Sequence, residues 1–157
     1  MEFQVCTEKQ VHAKKVGNYP IRFITNSEAS IIPIQKKKTR SGLINISRLD
    51  VTCYDLVAMW KYAGGLNNAT TAIFELLEEE KSIQDFWQGP YFSPSVLQRL
   101  GYILEFLKLK KHAVQVQKIL KEMNMQWTPL VKNRSTKGCP RSEKWQVMIN
   151  ETLEPDI

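Results

Sequence analysis

The chain has 157 residues, 43% hydrophobic and 24% charged; this suits one ordinary globular domain with a single core and excludes a disordered or low-complexity chain. No apolar run approaches the roughly 18 to 20 residues needed to cross a bilayer, and the N-terminus MEFQVCTEKQ lacks the charged-then-apolar pattern of a secretory signal, so a cytoplasmic protein is predicted. The net charge of +6 divides into +5 over residues 1–50, −2 over 51–110 and +3 over 111–157; a basic surface of this kind draws in anionic partners, whether nucleic acid, a nucleotide-handling protein or an acidic protein face.

Residues 1–47 read as short strands joined by turns. Phe3 and Val5 alternate with polar neighbours, Ile21 and Phe23 do the same after Asn18-Tyr19-Pro20, and 43–46 follow Ser41-Gly42. The run QKKKTRSG between Ile34 and Leu43 reads as an exposed turn. At Ser47 the period changes. Ser47-Arg-Leu-Asp50 has the two halves of a capping box, a hydroxyl and a carboxylate three residues on, and predicts a helix over 48–62. Val51, Cys53, Tyr54, Leu56, Val57 and Trp60 cover most of its circumference and make it a central helix. Gly64-Gly65 stops it; lacking the spacing and the following lysine of a phosphate loop, the pair reads as a helix stop and tight turn.

A second helix is capped by Asn67 or Asn68, with Ala69, Ala72, Ile73, Leu76 and Leu77 inward. A shorter segment over 83–87 ends at Gly89-Pro90. Ser93 caps the next helix, with Pro94 in its first turn, and that helix runs to Leu107. One more amphipathic helix turns Ala113, Val116, Leu120 and Met123 inward. After a polar loop, KNRSTKGCPRSE, the alternation of Trp145, Val147 and Ile149 with Gln146 and Met148 marks a half-buried strand. The predicted fold class is α+β: strand-rich 1–47, a bundle of four to five helices over 48–124, then loop and strand over 125–157, the C-terminal strand returning to pair with the first ones, all as a single domain.

Cys6, Cys53 and Cys139 are odd in number and far apart, which predicts free thiols rather than a disulfide framework or a zinc site. The Asn-x-Ser/Thr triplets at Asn45, Asn68, Asn133 and Asn150 carry meaning only in a secreted protein. His12 and His112 fall in no triad or metal-binding spacing and read as structural or surface groups. Lys108, Lys110 and Lys111 lie at a helix C-terminus, where the helix dipole favours them without a ligand.

Within SPSVLQRLGYILEFL the helix carries an arginine and a glycine where leucine would pack better. Gly101 predicts close approach of another element's backbone, flanked by Leu97, Leu100 and Leu104, which offsets the roughly 1 kcal/mol a glycine costs in a helix interior. Arg99 points about 160° away from Gly101 around a 3.6-residue turn. It reads either as an ion pair with an acid such as Asp55, or plain solvation, or as a partner-binding guanidinium. Asp55, amid apolar neighbours, requires a hydrogen-bonding partner; the functional alternative is a divalent-metal site with Asp50 and Glu75. Lys36, Lys37, Lys38 and Arg40 form the densest basic run: either a solvated turn or an electrostatic contact to nucleic acid or an acidic partner, without the interleaved aromatics that base stacking needs.

Taken in order, Ser47-Arg-Leu-Asp-Val-Thr-Cys-Tyr-Asp-Leu-Val, Gly64-Gly-Leu-Asn, Gln98-Arg-Leu-Gly-Tyr-Ile-Leu-Glu and Trp145 with Asn150 and Glu154-Pro-Asp resemble the C-terminal domain of the AbiEi family, the antitoxins of type IV toxin-antitoxin and phage-abortive systems. The resemblance spans nearly all of 3–156, with Asp50 and Tyr54 standing where the family pattern leads one to expect Glu and a small or aliphatic residue. It implies a non-enzymatic bacterial antitoxin, without cofactor or metal, that counters a nucleotidyltransferase-type toxin or protects its nucleic-acid target. Repression in that family rests on a preceding winged helix-turn-helix domain, for which a first strand at Phe3 leaves no room, so the resemblance implies antitoxicity ahead of repression. The rival expectations are a nucleic-acid-binding regulator or adaptor on the same scaffold, and a metal-dependent nuclease.

Overall fold

The structure, a computed structural model, describes residues 3–12, 14–16, 18–80, 82–83 and 85–157. The class is α+β, as predicted. Where the sequence predicts one domain, the chain forms two compact units, Met1–Ile46 and Ser47–Ile157. The boundary falls where the hydrophobic period changes at Ser47.

The first unit is made of strands. β1 (Phe3–Thr7) runs parallel to β3 (Tyr19–Thr25), with Phe3 opposite Ile21 and Thr7 opposite Thr25, and β2 (Lys14–Val16) pairs antiparallel on the other side of β3. A separate two-stranded ribbon joins β4 (Ile34–Thr39) to β5 (Gly42–Ser47) through a turn at Arg40-Ser41. The basic run is therefore not a turn: Lys36, Lys37 and Lys38 lie on β4, and Arg40 alone of the four cations sits at the bend. Three lysines are compatible with a strand that has no buried face, and every residue of β4 except the half-buried Thr39 is exposed.

The second unit is built on α1 (Leu49–Ala58), α2 (Leu66–Leu77), α3 (Pro94–Phe106) and α4 (Lys110–Leu120). Val51, Cys53, Tyr54 and Val57 are buried, so α1 is the central helix its composition predicts. It ends at Ala58, short of Tyr62, and continues as a 3-10 turn over Trp60–Ala63 that closes on Gly64, whose φ of +80° few other residues adopt cheaply. α2 is N-capped by Gly65 rather than by an asparagine. Its buried stripe is Leu66, Ala69, Thr70, Ile73 and Leu77; Leu76, expected inside, is 38% exposed. Thr70 takes the inward place because its hydroxyl is satisfied by the Leu66 carbonyl at 2.8 Å. Gln84 of the shorter segment over 83–87 lies outside the described residues, and 85–87 form a turn.

Among the described residues the C-terminal strand pairs with none of the N-terminal strands. β8 (Val147–Met148) pairs parallel with β6 (Thr128–Pro129) and antiparallel with β7 (Arg141–Ser142), a small sheet of its own. The alternation that predicts a half-buried strand is correct for Trp145 and Val147, both buried. What covers them is α3.

Candidate functional site

The motifs that carry the family resemblance meet inside the second unit. Gln98, Gly101 and Glu105, spaced three and four apart, share one face of α3, and all three hold the C-terminal segment. The Gln98 side-chain amide, buried, donates to the carbonyls of Gln126 and Trp145, each at 2.9 Å. A side chain on Gly101 would collide with the six-membered ring of Trp145, so the close approach predicted from the sequence is real, although its partner is an indole and not a backbone. Trp145 Nε1 donates to Glu105, and Lys144 Nζ reaches the same carboxylate at 2.9 Å. The hydrogen bond from Lys144 is the first reason that carboxyl is held below its ordinary range.

Arg99 serves the same segment from the next position on the helix. It is 4% exposed; its Nε donates to the Pro129 carbonyl and its Nη2 to Thr128 Oγ1, both at 2.9 Å. Neither the ion pair with Asp55 nor the partner-binding role is what the structure gives it. Burial lowers its pKa; the guanidinium stays inside because β6 offers acceptors at the reach of a long arm. The arginine and the glycine that interrupt a good leucine helix thus brace the same small sheet at two points, β6 and the residue before Gln146.

Ser47-Arg-Leu-Asp50 is not a capping box. Arg48 stands at the N-cap position without a side-chain cap bond. Asp50, fully buried, accepts from Arg48 Nε at 3.0 Å and Nη2 at 2.8 Å and from the Trp87 backbone N–H at 2.9 Å, while Trp87 Nε1 donates to the Asp50 carbonyl at 3.0 Å. These bonds hold Trp87 at φ +58°, a conformation a bulky residue avoids unless its surroundings impose it. Tyr54, the other departure from the family pattern, is buried against Tyr91 and Phe92 at ring distances of 5.3 and 5.2 Å, and its hydroxyl accepts from the Ser93 backbone N–H at 3.0 Å. Further on, Asn150 accepts from the Val131 N–H and donates to the Val131 carbonyl, each at 2.9 Å. Asn67 Oδ1 accepts from the Glu154 N–H at 3.1 Å, and Thr71 Oγ1 from the Asp156 N–H at 3.0 Å.

Two of the three carboxylates of the metal-site alternative are engaged elsewhere, and the third, Glu75, is exposed. Asp50 is committed as above, Asp55 accepts from the Tyr91 hydroxyl at 2.7 Å, and among the described residues no three His, Cys, Asp or Glu side chains are grouped to hold a metal ion. Burial pushes Asp55 up to about 6, against the opposing hydrogen bond from Tyr91. His112 is buried beside the Trp87 ring at 6.4 Å, both ring nitrogens without a hydrogen-bond partner, and burial pulls its pKa down. Cys53 is buried and its thiol pushed up to about 12; Cys139 donates its S–H to the Thr136 carbonyl at 3.1 Å. A cavity of about 550 Å³ lies between Tyr102, Cys139 and Asn150, with Arg134 on its wall already paired to Glu151.

The surface groups are in the first unit. Lys36, Lys37, Lys38 and Arg40 are all exposed, and among the described residues none has an ion pair. Alternation puts Lys36 and Lys38 on one face of β4 and Lys37 on the other. On β5, Leu43 is 67% and Ile44 45% exposed, so neither face of the ribbon is covered at those positions. Sequence reasoning found the cations by their density and the strand over 43–46 beside them, but not that Leu43 and Ile44 on it are exposed.

No helix among the described residues is long and apolar enough to cross a membrane. Compared with family models, with curated proteins and with solved structures, the chain matches none.

Proposed function

We propose that this chain is a non-enzymatic binding module of the AbiEi antitoxin kind, counteracting a nucleotidyltransferase-type toxin in a bacterial cytoplasm. What supports the reading is that Gln98, Arg99, Gly101, Trp145, Asn150 and Asn67, drawn from three of its four motifs, act on one another or on one C-terminal segment. Residues spent on bracing make a rigid scaffold and leave recognition to the exposed surface. The test is co-expression with the toxin encoded beside this gene in a growth assay. Restored growth is expected; a soluble, folded chain that leaves the toxin lethal sinks the reading.

A nucleic-acid-binding regulator on the same scaffold is the second reading. It is favoured by one observation, the four exposed cations of the β4–β5 ribbon, which carries no acidic residue from Ile34 to Ser47.

A further inference from the structure

We propose that the β4–β5 ribbon enters the major groove of duplex DNA, an inference that rests on the nucleic-acid-binding reading of Lys36 to Arg40 and names its ligand. A lone two-stranded ribbon is marginal in water unless one face is buried, yet here Ile34, Leu43 and Ile44 stand 47%, 67% and 45% exposed. Its charge is uniform: three lysines and one arginine, no aspartate or glutamate.

Duplex DNA fits this element in three respects. The major groove, about 12 Å wide, admits a two-stranded ribbon, whose strands lie roughly 4.8 Å apart. Lys36 and Lys38, two residues apart on one face of β4, are about 6.8 Å apart along the strand, so both reach phosphates of one DNA backbone together. Exposed side chains of β5 are also of the types that meet base edges: Asn45 has an amide suited to adenine, and Leu43, on the same face of the strand, is apolar surface for a thymine methyl group. An acidic protein face would satisfy the charges but leave the Asn45 amide without a particular use. Duplex RNA has a major groove too deep and narrow for side chains to read, and a single strand calls for stacking aromatics, which the ribbon lacks.

The experiment is fluorescence anisotropy of the whole chain with a 20-base-pair DNA duplex, the matching RNA duplex, the single strand and polyglutamate, from 50 to 200 mM salt. With four phosphates neutralised, log affinity falls with log salt at a slope of about −3.6, which is about 150-fold across that range. Replacing Lys36, Lys37, Lys38 and Arg40 together by Gln is expected to flatten that slope by about three to four without moving the thermal midpoint. Lys36→Arg with Lys37→Arg and Lys38→Arg is expected to keep the binding. Absence of DNA binding at 50 mM salt, equal binding of any of the other three probes, or an unchanged slope in the Gln variant would each overturn the proposal. Growth rescue by the Gln variant separates the two readings: rescue without DNA binding leaves the antitoxin reading standing and confines the ribbon to DNA, whereas DNA binding by a wild-type chain that fails to rescue upholds the ribbon and removes the antitoxin.

Discussion

The two units use apolar residues in opposite ways. In 47–157 a core takes large apolar side chains inside: Trp87, Trp145, Ile73, Leu97, Leu100, Ile103 and Leu104 are all within 1% of complete burial. Among the described residues of 1–46, Ile24 and Ile32, each 9% exposed, are the buried apolar side chains, while Phe3, Tyr19, Ile34, Leu43 and Ile44 stand in the open. A segment of 46 residues has little volume per surface from which to make a core, so its strands keep their shape through ladder hydrogen bonds and offer their side chains outward. The larger unit is a support whose buried Asp50, Gln98 and Arg99 are committed to partners; the smaller carries four exposed cations, Lys36, Lys37, Lys38 and Arg40, on one ribbon.

The sharpest way to break that contrast is at the α3 notch. Trp145→Ala removes a fully buried indole and is expected to cost the second unit about 3 to 5 kcal/mol. Gly101→Ala in the native background drives a methyl group into the Trp145 ring and costs about 1 to 3 kcal/mol. The informative measurement is the double variant by urea unfolding. With the ring gone, Gly101→Ala is expected to change sign and stabilise by up to about 1 kcal/mol, because the helix then gains the better helix former. Additive costs would mean that the glycine is there for some other reason than the tryptophan.

That notch was legible in the sequence because glycine in the middle of a leucine helix is a local cost that demands a distant compensation. Its partner was not, since Trp145 lies 44 positions on and periodicity carries no information about tertiary contacts. Arg99 failed for a different reason. Its charge suggests solvent or an acid, but β6 presents a carbonyl and a hydroxyl at the distance of its fork, and neither is visible before the loop of 121–127 is folded. Ser47 and Asp50 have capping-box spacing, yet the carboxylate went to the Trp87 backbone N–H and to Arg48, whose Nη2 also donates to the Asp85 carbonyl. In the first unit, composition located the cations of β4 but placed them on a turn, because a lysine run has low strand propensity and the strand exists through its pairing with β5.

A second test concerns the boundary between bracing and surface within the larger unit. Asp55 titrates at about 6 in the folded chain against an ordinary 3.8, raised by burial. The folded state therefore binds this proton more tightly than the unfolded one, so the stability contributed is fully present below about pH 4 and is lost as pH rises through about 6. Asp55→Asn keeps an acceptor for the Tyr91 hydroxyl and removes the charge. Each tenfold difference in proton affinity between the folded and unfolded chains is worth about 1.4 kcal/mol. The expected gain of the variant over the native chain is therefore near zero at pH 4 and about 1 to 3 kcal/mol at pH 7. Unfolding free energies of both chains at several pH values check this, and a difference that does not grow between pH 4 and 7 would show Asp55 to be ordinarily solvated.

The smallest effect is expected where the side chains look most like core in the sequence. Leu43 and Ile44 on β5 lie open, so Leu43→Ser with Ile44→Thr should alter the stability of the folded chain by less than about 0.5 kcal/mol, the range of surface substitutions away from special features. Their loss should instead be felt in solution behaviour, as less self-association in analytical ultracentrifugation, since an uncovered apolar ribbon edge is a template for pairing. A midpoint lowered by several degrees would place these residues inside a core of the first unit after all. That outcome would erase the difference between the two halves of the chain, because the smaller one would then be spending its apolar residues as the larger one does.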